Sequence, residues 1–80
     1  MSESNIYDAI STRITTKLPG ADVAVQGGGG HFAIRVIWSG FSEMGRLARQ
    51  RAVLQSIADL MSGPNAPVHA VDELITNPTA

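Results

Sequence analysis

Cysteine is absent from this chain of 80 residues, and that excludes a disulfide framework, a zinc site built from the chain's own thiolates, and a thiol nucleophile. It also leaves the redox compartment unread. Charge is sparse, at 16% of residues with a formal net charge of −1, so no overall field draws the chain to nucleic acid or to an anionic membrane. Nowhere do roughly twenty apolar residues stand together, as a membrane-spanning helix requires. Residues Met1 to Asn5 carry neither the basic region nor the apolar run of a secretory signal, so a cytoplasmic protein with no membrane partner is expected. Histidine is scarce, with two imidazoles, His31 and His69. A metalloprotease helix motif, a nucleophile elbow and carboxylates spaced for acid–base work are all missing. The expectation is a protein that is not an enzyme.

What is present suits a single domain over residues 1–80, with 1–4 and 75–80 as flexible ends. Apolar residues make up 44% of the chain, a globular rather than a disordered composition. A chain this short buries only about two-thirds of the surface it exposes when unfolded, which leaves room for one core and little room for a deep pocket.

Asn5 is placed to cap a first helix, with Asp8 as its partner and as a negative charge near the positive end of the helix dipole. Ile6, Ile10, Ile14 and Leu18 recur at i+4 as one apolar stripe, and Pro19-Gly20 ends it. Arg13 and Lys17 lie on the outer side as a solvated face. Val23 and Val25 alternate in Asp22 to Gln26, and Phe32, Ile34, Val36 and Trp38 alternate in His31 to Trp38, which reads as a β-hairpin around Gly27 to Gly30. The opposite face of the second strand carries His31, Ala33, Arg35 and Ile37, so His31 points away from the core.

Ser42 is placed to cap a second helix reaching about Met61, with Leu47, Leu54, Ile57, Ala58 and Met61 as its apolar stripe. Ser62-Gly63-Pro64 stops it. Val68 to about Leu74 starts a third strand, where the Asp72-Glu73 pair suggests an edge or a fraying end. A full helix between the second and third strands has the length of a right-handed crossover joining parallel strands. The expected architecture is an α+β two-layer α/β sandwich, order α-β-β-α-β, with a three-stranded mixed sheet and both helices on one face.

Three segments carry a family resemblance. Gly30-His31-Phe32 enters the second strand. Phe41 is followed by Arg46-Leu47-Ala48-Arg49-Gln50-Arg51-Ala52-Val53. Val68-His69-Ala70-Val71 opens the third strand. Their order and spacing, from about Ile6 to Pro78, resemble the BolA family. The resemblance implies a small KH-like domain that partners a monothiol glutaredoxin and can share a [2Fe-2S] cluster with it, binding none alone, in iron–sulfur handling or iron and stress signalling. In that family the histidine of the His-Ala-aliphatic motif, here His69, is a cluster ligand, and a Cys or His in the first hairpin loop can supply a second. Here the corresponding position, near Gly28, has no donor atom, whereas iron held by imidazole and thiolate needs side-chain nitrogen or sulfur. If a cluster binds, His69 acts with His31 as candidate second ligand or alone, and the chain resembles the branch without a loop cysteine. Two ligands of one small cluster require rings sharing a face within ~8 Å, given metal–nitrogen bonds of about 2 Å.

The chain departs from the family at its far end. The family commonly has a lysine after the His-Ala motif and a Thr-Pro-acidic-acidic-Trp ending, where this chain has Leu74 and then Asn77-Pro78-Thr79-Ala80.

The glycine run, with Gly28, Gly29 and Gly30, reads as a flexible tip that a partner's backbone or a cluster can approach closely. It matches the Gly-x-x-Gly pattern of KH domains, but joins strands where theirs joins helices. A second reading follows from Arg46, Arg49 and Arg51: KH-like proteins bind nucleic acid, and these guanidiniums on one helix can contact DNA phosphates as in a transcriptional regulator. Arg51, toward the border of the apolar stripe, is expected to snorkel over the core. A homodimer is a further partnership open to the chain, and a divergent member that keeps the fold without the cluster is a third reading.

Overall fold

The computed structural model describes residues 5–79, so the expected flexibility of residues 1–4 lies outside the described part. The chain runs α1 (Ile6–Lys17), β1 (Asp22–Gly28), β2 (His31–Ile37), a 3-10 turn (Ser39–Glu43), α2 (Arg46–Ser56), α3 (Ala58–Met61) and β3 (Ala70–Asn77). The sheet has the order β1-β2-β3, with β1 antiparallel and β3 parallel to the central strand. The parallel pairing of β2 and β3 follows from the strand, helix, strand succession, since parallel neighbours need a long connection between them.

Asn5 caps α1 as its sequence position requires: its side-chain oxygen accepts the Asp8 amide hydrogen at 2.8 Å. Ile10, Ile14 and Leu18 are buried, with Ile6 packed beside them. They meet Phe32, Ile34 and Val36 of β2 and Val53, Ile57, Leu60, Phe41 and Val68, and these make the core. Gly29 and Gly30 have φ of 64° and 87°; positive φ at both central residues is what a two-residue type I′ hairpin turn demands.

Four features of the second half differ from expectation. Ser42 does not cap a helix: it lies in the 3-10 turn, which drives Phe41 into the core, and α2 begins later behind Gly45 with no side-chain cap. The buried stripe is Val53, Ile57 and Leu60, while Leu47 is 59% exposed and Ala58 is exposed. Both phases are apolar in the sequence, so contact with the sheet alone chooses between them. The helix is interrupted at Ile57 (φ −111°, ψ 14°). There the Ser56 hydroxyl donates to the Val53 carbonyl at 2.6 Å, and the Ile57 amide turns to Leu54 at 3.3 Å; a serine competing locally for backbone acceptors tightens or bends a helix in this way.

β3 is the fourth. Val68 stays outside the ladder because its amide donates to the Leu60 carbonyl at 3.1 Å and its side chain is buried. The strand then continues past Leu74 to Asn77, into the stretch expected to be flexible, because β2 offers paired positions as far as Ile37. Its register slips between Phe32 and Ala33: Phe32 pairs Val71 and Ala33 pairs Glu73, leaving Asp72 as an unpaired bulge residue. A regular strand alternates faces and would turn one of two consecutive acids inward. The bulge instead lets Val71 and Leu74 both pack on the core and leaves Asp72 and Glu73 both exposed.

Arg13 is not merely solvated. Its Nε and Nη2 donate to the Asp59 carboxylate at 2.9 and 2.7 Å, tying α1 to α3. The hydrogen bond from Arg13 holds the Asp59 carboxyl below its ordinary range, and the same bond raises Arg13. Among the described residues, no helix is long and apolar enough to cross a membrane.

Candidate functional site

The two histidines meet where the hairpin turn touches the entry to β3. His31 is the first residue of β2 and pairs with Ala70 in the parallel ladder. The amides of His69 and Ala70 both donate to the Gly30 carbonyl, at 2.8 and 3.0 Å, so the residue before His31 holds the segment that carries His69. The His69 ring lies against Gly30, where a Cβ would overlap the ring. The imidazole centroids stand 6.5 Å apart with planes tilted 39°, inside the span of roughly 8 Å required of ligands to one small cluster. Both residues are exposed.

The glycines divide between two roles. Gly28 is the last residue of β1 and pairs with His31, while Gly29 and Gly30 form the turn. Gly27 also has positive φ, at 117°, and a Cβ there would strike the His31 carbonyl. From the other side the Tyr7 hydroxyl donates to the Gly27 carbonyl, and its ring meets Phe32 edge-on at 5.8 Å. No periodicity in the sequence points from Tyr7 to the hairpin.

Asp72 is a participant that the sequence reading missed. Its Oδ1 stands 3.3 Å from His31 Nδ1, with side-chain exposures of 61% and 58%. The available signal was the acidic pair inside a strand, which regular alternation cannot accommodate on one face.

As a ligand set, the site supplies two imidazoles. Among the described residues no group of three or more His, Cys, Asp or Glu side chains could hold a metal ion. A [2Fe-2S] cluster takes two protein ligands at each iron, and imidazoles can occupy both positions at one of them. The donor set fits one side of a cluster whose other side is held by thiolates from elsewhere, since this chain contains none. His69 and His31 are the residues that would hold it.

The three arginines do not share a surface role. Arg46 and Arg51 are exposed. Arg49 Nε donates to the Met44 carbonyl at 2.9 Å and Nη1 to the Thr76 carbonyl at 3.4 Å, and its guanidinium sits 5.9 Å from the Phe41 ring centroid. Arg49 therefore takes the inward, fixing role expected of Arg51, because it lies on the flank of α2 that faces the 3-10 turn and the end of β3.

Fold and site together define a class: a small α+β domain, ordered α-β-β-α-β apart from the break in its second helix, with an exposed histidine at the entry to its last strand. The profile described as BolA-like protein matches residues 5–78, and the chain belongs to the BolA family. Among solved structures it is similar to BolA1 from Arabidopsis thaliana, with a TM-score of 0.78 at 14% identity over 95% of this chain and 94% of that one. The BolA domain of SufE1 from the same plant matches at 0.76 and 15% identity, covering 96% and 95%. A BolA protein homologue from Coxiella burnetii matches at 0.73 and 27% identity, covering 95% and 92%. No curated protein matches the chain by sequence.

Proposed function

We propose that this BolA-family protein is a non-enzymatic accessory protein that binds a monothiol glutaredoxin and holds one side of a shared [2Fe-2S] cluster, serving iron–sulfur handling or iron and stress signalling. The observation that carries the reading is the 6.5 Å approach of the His31 and His69 rings in a chain with no thiolate of its own. The cluster, when bound, supplies iron positions open to nitrogen and sulfur donors. His69 acts as the principal ligand, fixed through its backbone to Gly30, and His31 as the second. The exposed glycines at 28 and 29 leave the hairpin without side chains, so a partner's backbone can come close.

Co-expression with a monothiol glutaredoxin tests the proposal. The expected result is a co-purifying complex with visible thiolate-to-iron absorption that His69→Ala abolishes and His31→Ala weakens. Absence of both complex and absorption, or indifference of both to His69→Ala, would overturn it. A colourless complex would instead identify a member that keeps the partner and not the cluster. Salt-dependent DNA binding that falls in Arg46→Ala and ignores His69→Ala would favour the nucleic-acid regulator; with Arg49 committed to backbone carbonyls, that surface is left with few phosphate contacts.

A further inference from the structure

The two imidazoles are held by different means. His69 is placed through backbone hydrogen bonds to Gly30 and by the space that Gly30 leaves for its ring. His31 follows a two-glycine turn, and among the described residues its ring has one side-chain hydrogen-bond partner, the Asp72 carboxylate, which approaches Nδ1 at 3.3 Å. Asp72 is also the residue at which the β2–β3 register slips. A bulge re-aims a side chain, and this one places a carboxylate on the same exposed side of the sheet as His31 instead of extending the ladder.

Resting on the reading of His31 as a ligand, we infer that Asp72 is a positioning residue for that imidazole: its carboxylate accepts the Nδ1 hydrogen and leaves Nε2 as the metal-binding nitrogen. An ionised carboxylate only accepts hydrogen bonds, so a neutral imidazole facing it carries its hydrogen on the facing nitrogen. The lone pair is then on Nε2, on the far side of the ring from Asp72. Metal-ligating histidines are commonly oriented in this way, and loss of such a partner costs about 10- to 100-fold in metal affinity. Without a partner, a neutral histidine side chain favours the opposite tautomer, with hydrogen on Nε2, which must rearrange before it can coordinate through that nitrogen.

Nitrogen-detected NMR of the free protein at mildly alkaline pH reads the tautomer directly and needs no cluster. His31 is expected in the Nδ1–H form in the wild type, to move toward Nε2–H in Asp72→Ala, and to return in Asp72→Glu, while His69 is unchanged throughout. The same His31 tautomer in the wild type and Asp72→Ala would overturn the inference. A second measurement uses the complex with glutaredoxin. Asp72→Ala is expected to speed cluster loss to a chelator by about 10- to 100-fold, with no additional effect in a His31→Ala background. An equal effect in both backgrounds would show that Asp72 does not act through His31. If no cluster assembles even on the wild type, the proposed function fails, and the tautomer measurement still decides the role of Asp72.

Discussion

The two ends of β2 use the same device for opposite purposes. At each end a ring lies on a glycine whose missing Cβ makes room for it: His69 on Gly30, and Trp38 on Gly40. At the Trp38 end everything closes. The indole N–H donates to the Pro19 carbonyl at 2.8 Å, Phe41 meets the indole edge-on at 5.4 Å, and the Trp38 amide donates to Asn77 at 3.0 Å. Arg49 straps the turn to β3 across Phe41. At the histidine end the rings stay exposed, and the hairpin beside them is glycine. Trp38 thus takes its ring's hydrogen bond and aromatic contact from within the chain. The ligand role proposed for this chain falls at the end where both imidazoles stay exposed. A small domain with a net stability of about 5–15 kcal/mol can keep an open site at one end because the other end and the core hold it together.

Five substitutions sharpen or break this contrast. The largest effect is expected at Phe41, which is fully buried: Phe41→Ala should cost about 3–5 kcal/mol in urea unfolding, whereas His69→Ala and His31→Ala should stay within about 0.5 kcal/mol of wild type. Comparable losses at both ends would break the comparison. Next come the two glycines. Gly30 has φ of 87°, so Gly30→Ala carries left-handed strain of about 1–2 kcal/mol and must also displace the His69 ring, seen as shifted His69 resonances with unchanged indole fluorescence. Gly40→Ala should do the reverse, perturbing Trp38 emission and leaving the histidine resonances alone. If either change is felt at both ends, the two glycine seats are not independent.

The smallest effect belongs to a pair at neither end. Asp59, with an ordinary value of 3.8, is lowered by Arg13. A carboxylate whose folded value is depressed contributes stability above its unfolded value and loses it as pH falls through the folded one. Asp59→Asn should therefore lower Tm by at most a few degrees at neutral pH and by nothing once acid has protonated the wild-type carboxyl. An equal effect at both pH values would mean that packing, not charge, is what Asp59 provides.

The first half of the fold was legible because its signals are local. Asn5, the i+4 stripe through Leu18 and the glycines at the turn each specify their own neighbourhood. The second half was read less well where two local solutions compete. Leu47, Leu54, Ile57, Ala58 and Met61 form as plausible a stripe as Val53, Ile57 and Leu60, with Ile57 common to both and buried, and Ser42 looks like a cap, yet it lies in the 3-10 turn that drives Phe41 into the core. Tyr7 shows the same limit at the hairpin, since its hydroxyl finds Gly27 twenty residues away. His69 was singled out by the resemblance of its motif, while Asp72 looked like a fraying end because a bulge leaves no mark in the sequence beyond the acidic pair it accommodates.

By itself the sequence determined the order of helices and strands, the lack of any thiolate and the two imidazoles, because composition and short-range periodicity carry these directly, and the length of the crossover fixed the mixed sheet. Tertiary structure alone decided that the donors stand together. His31 and His69 are separated by a helix-bearing crossover, and their 6.5 Å approach depends on the parallel register that pairs His31 with Ala70. It depends also on Gly30, whose carbonyl receives both the His69 and Ala70 amides. Register is a property of two strands at once, so neither strand's sequence contains it.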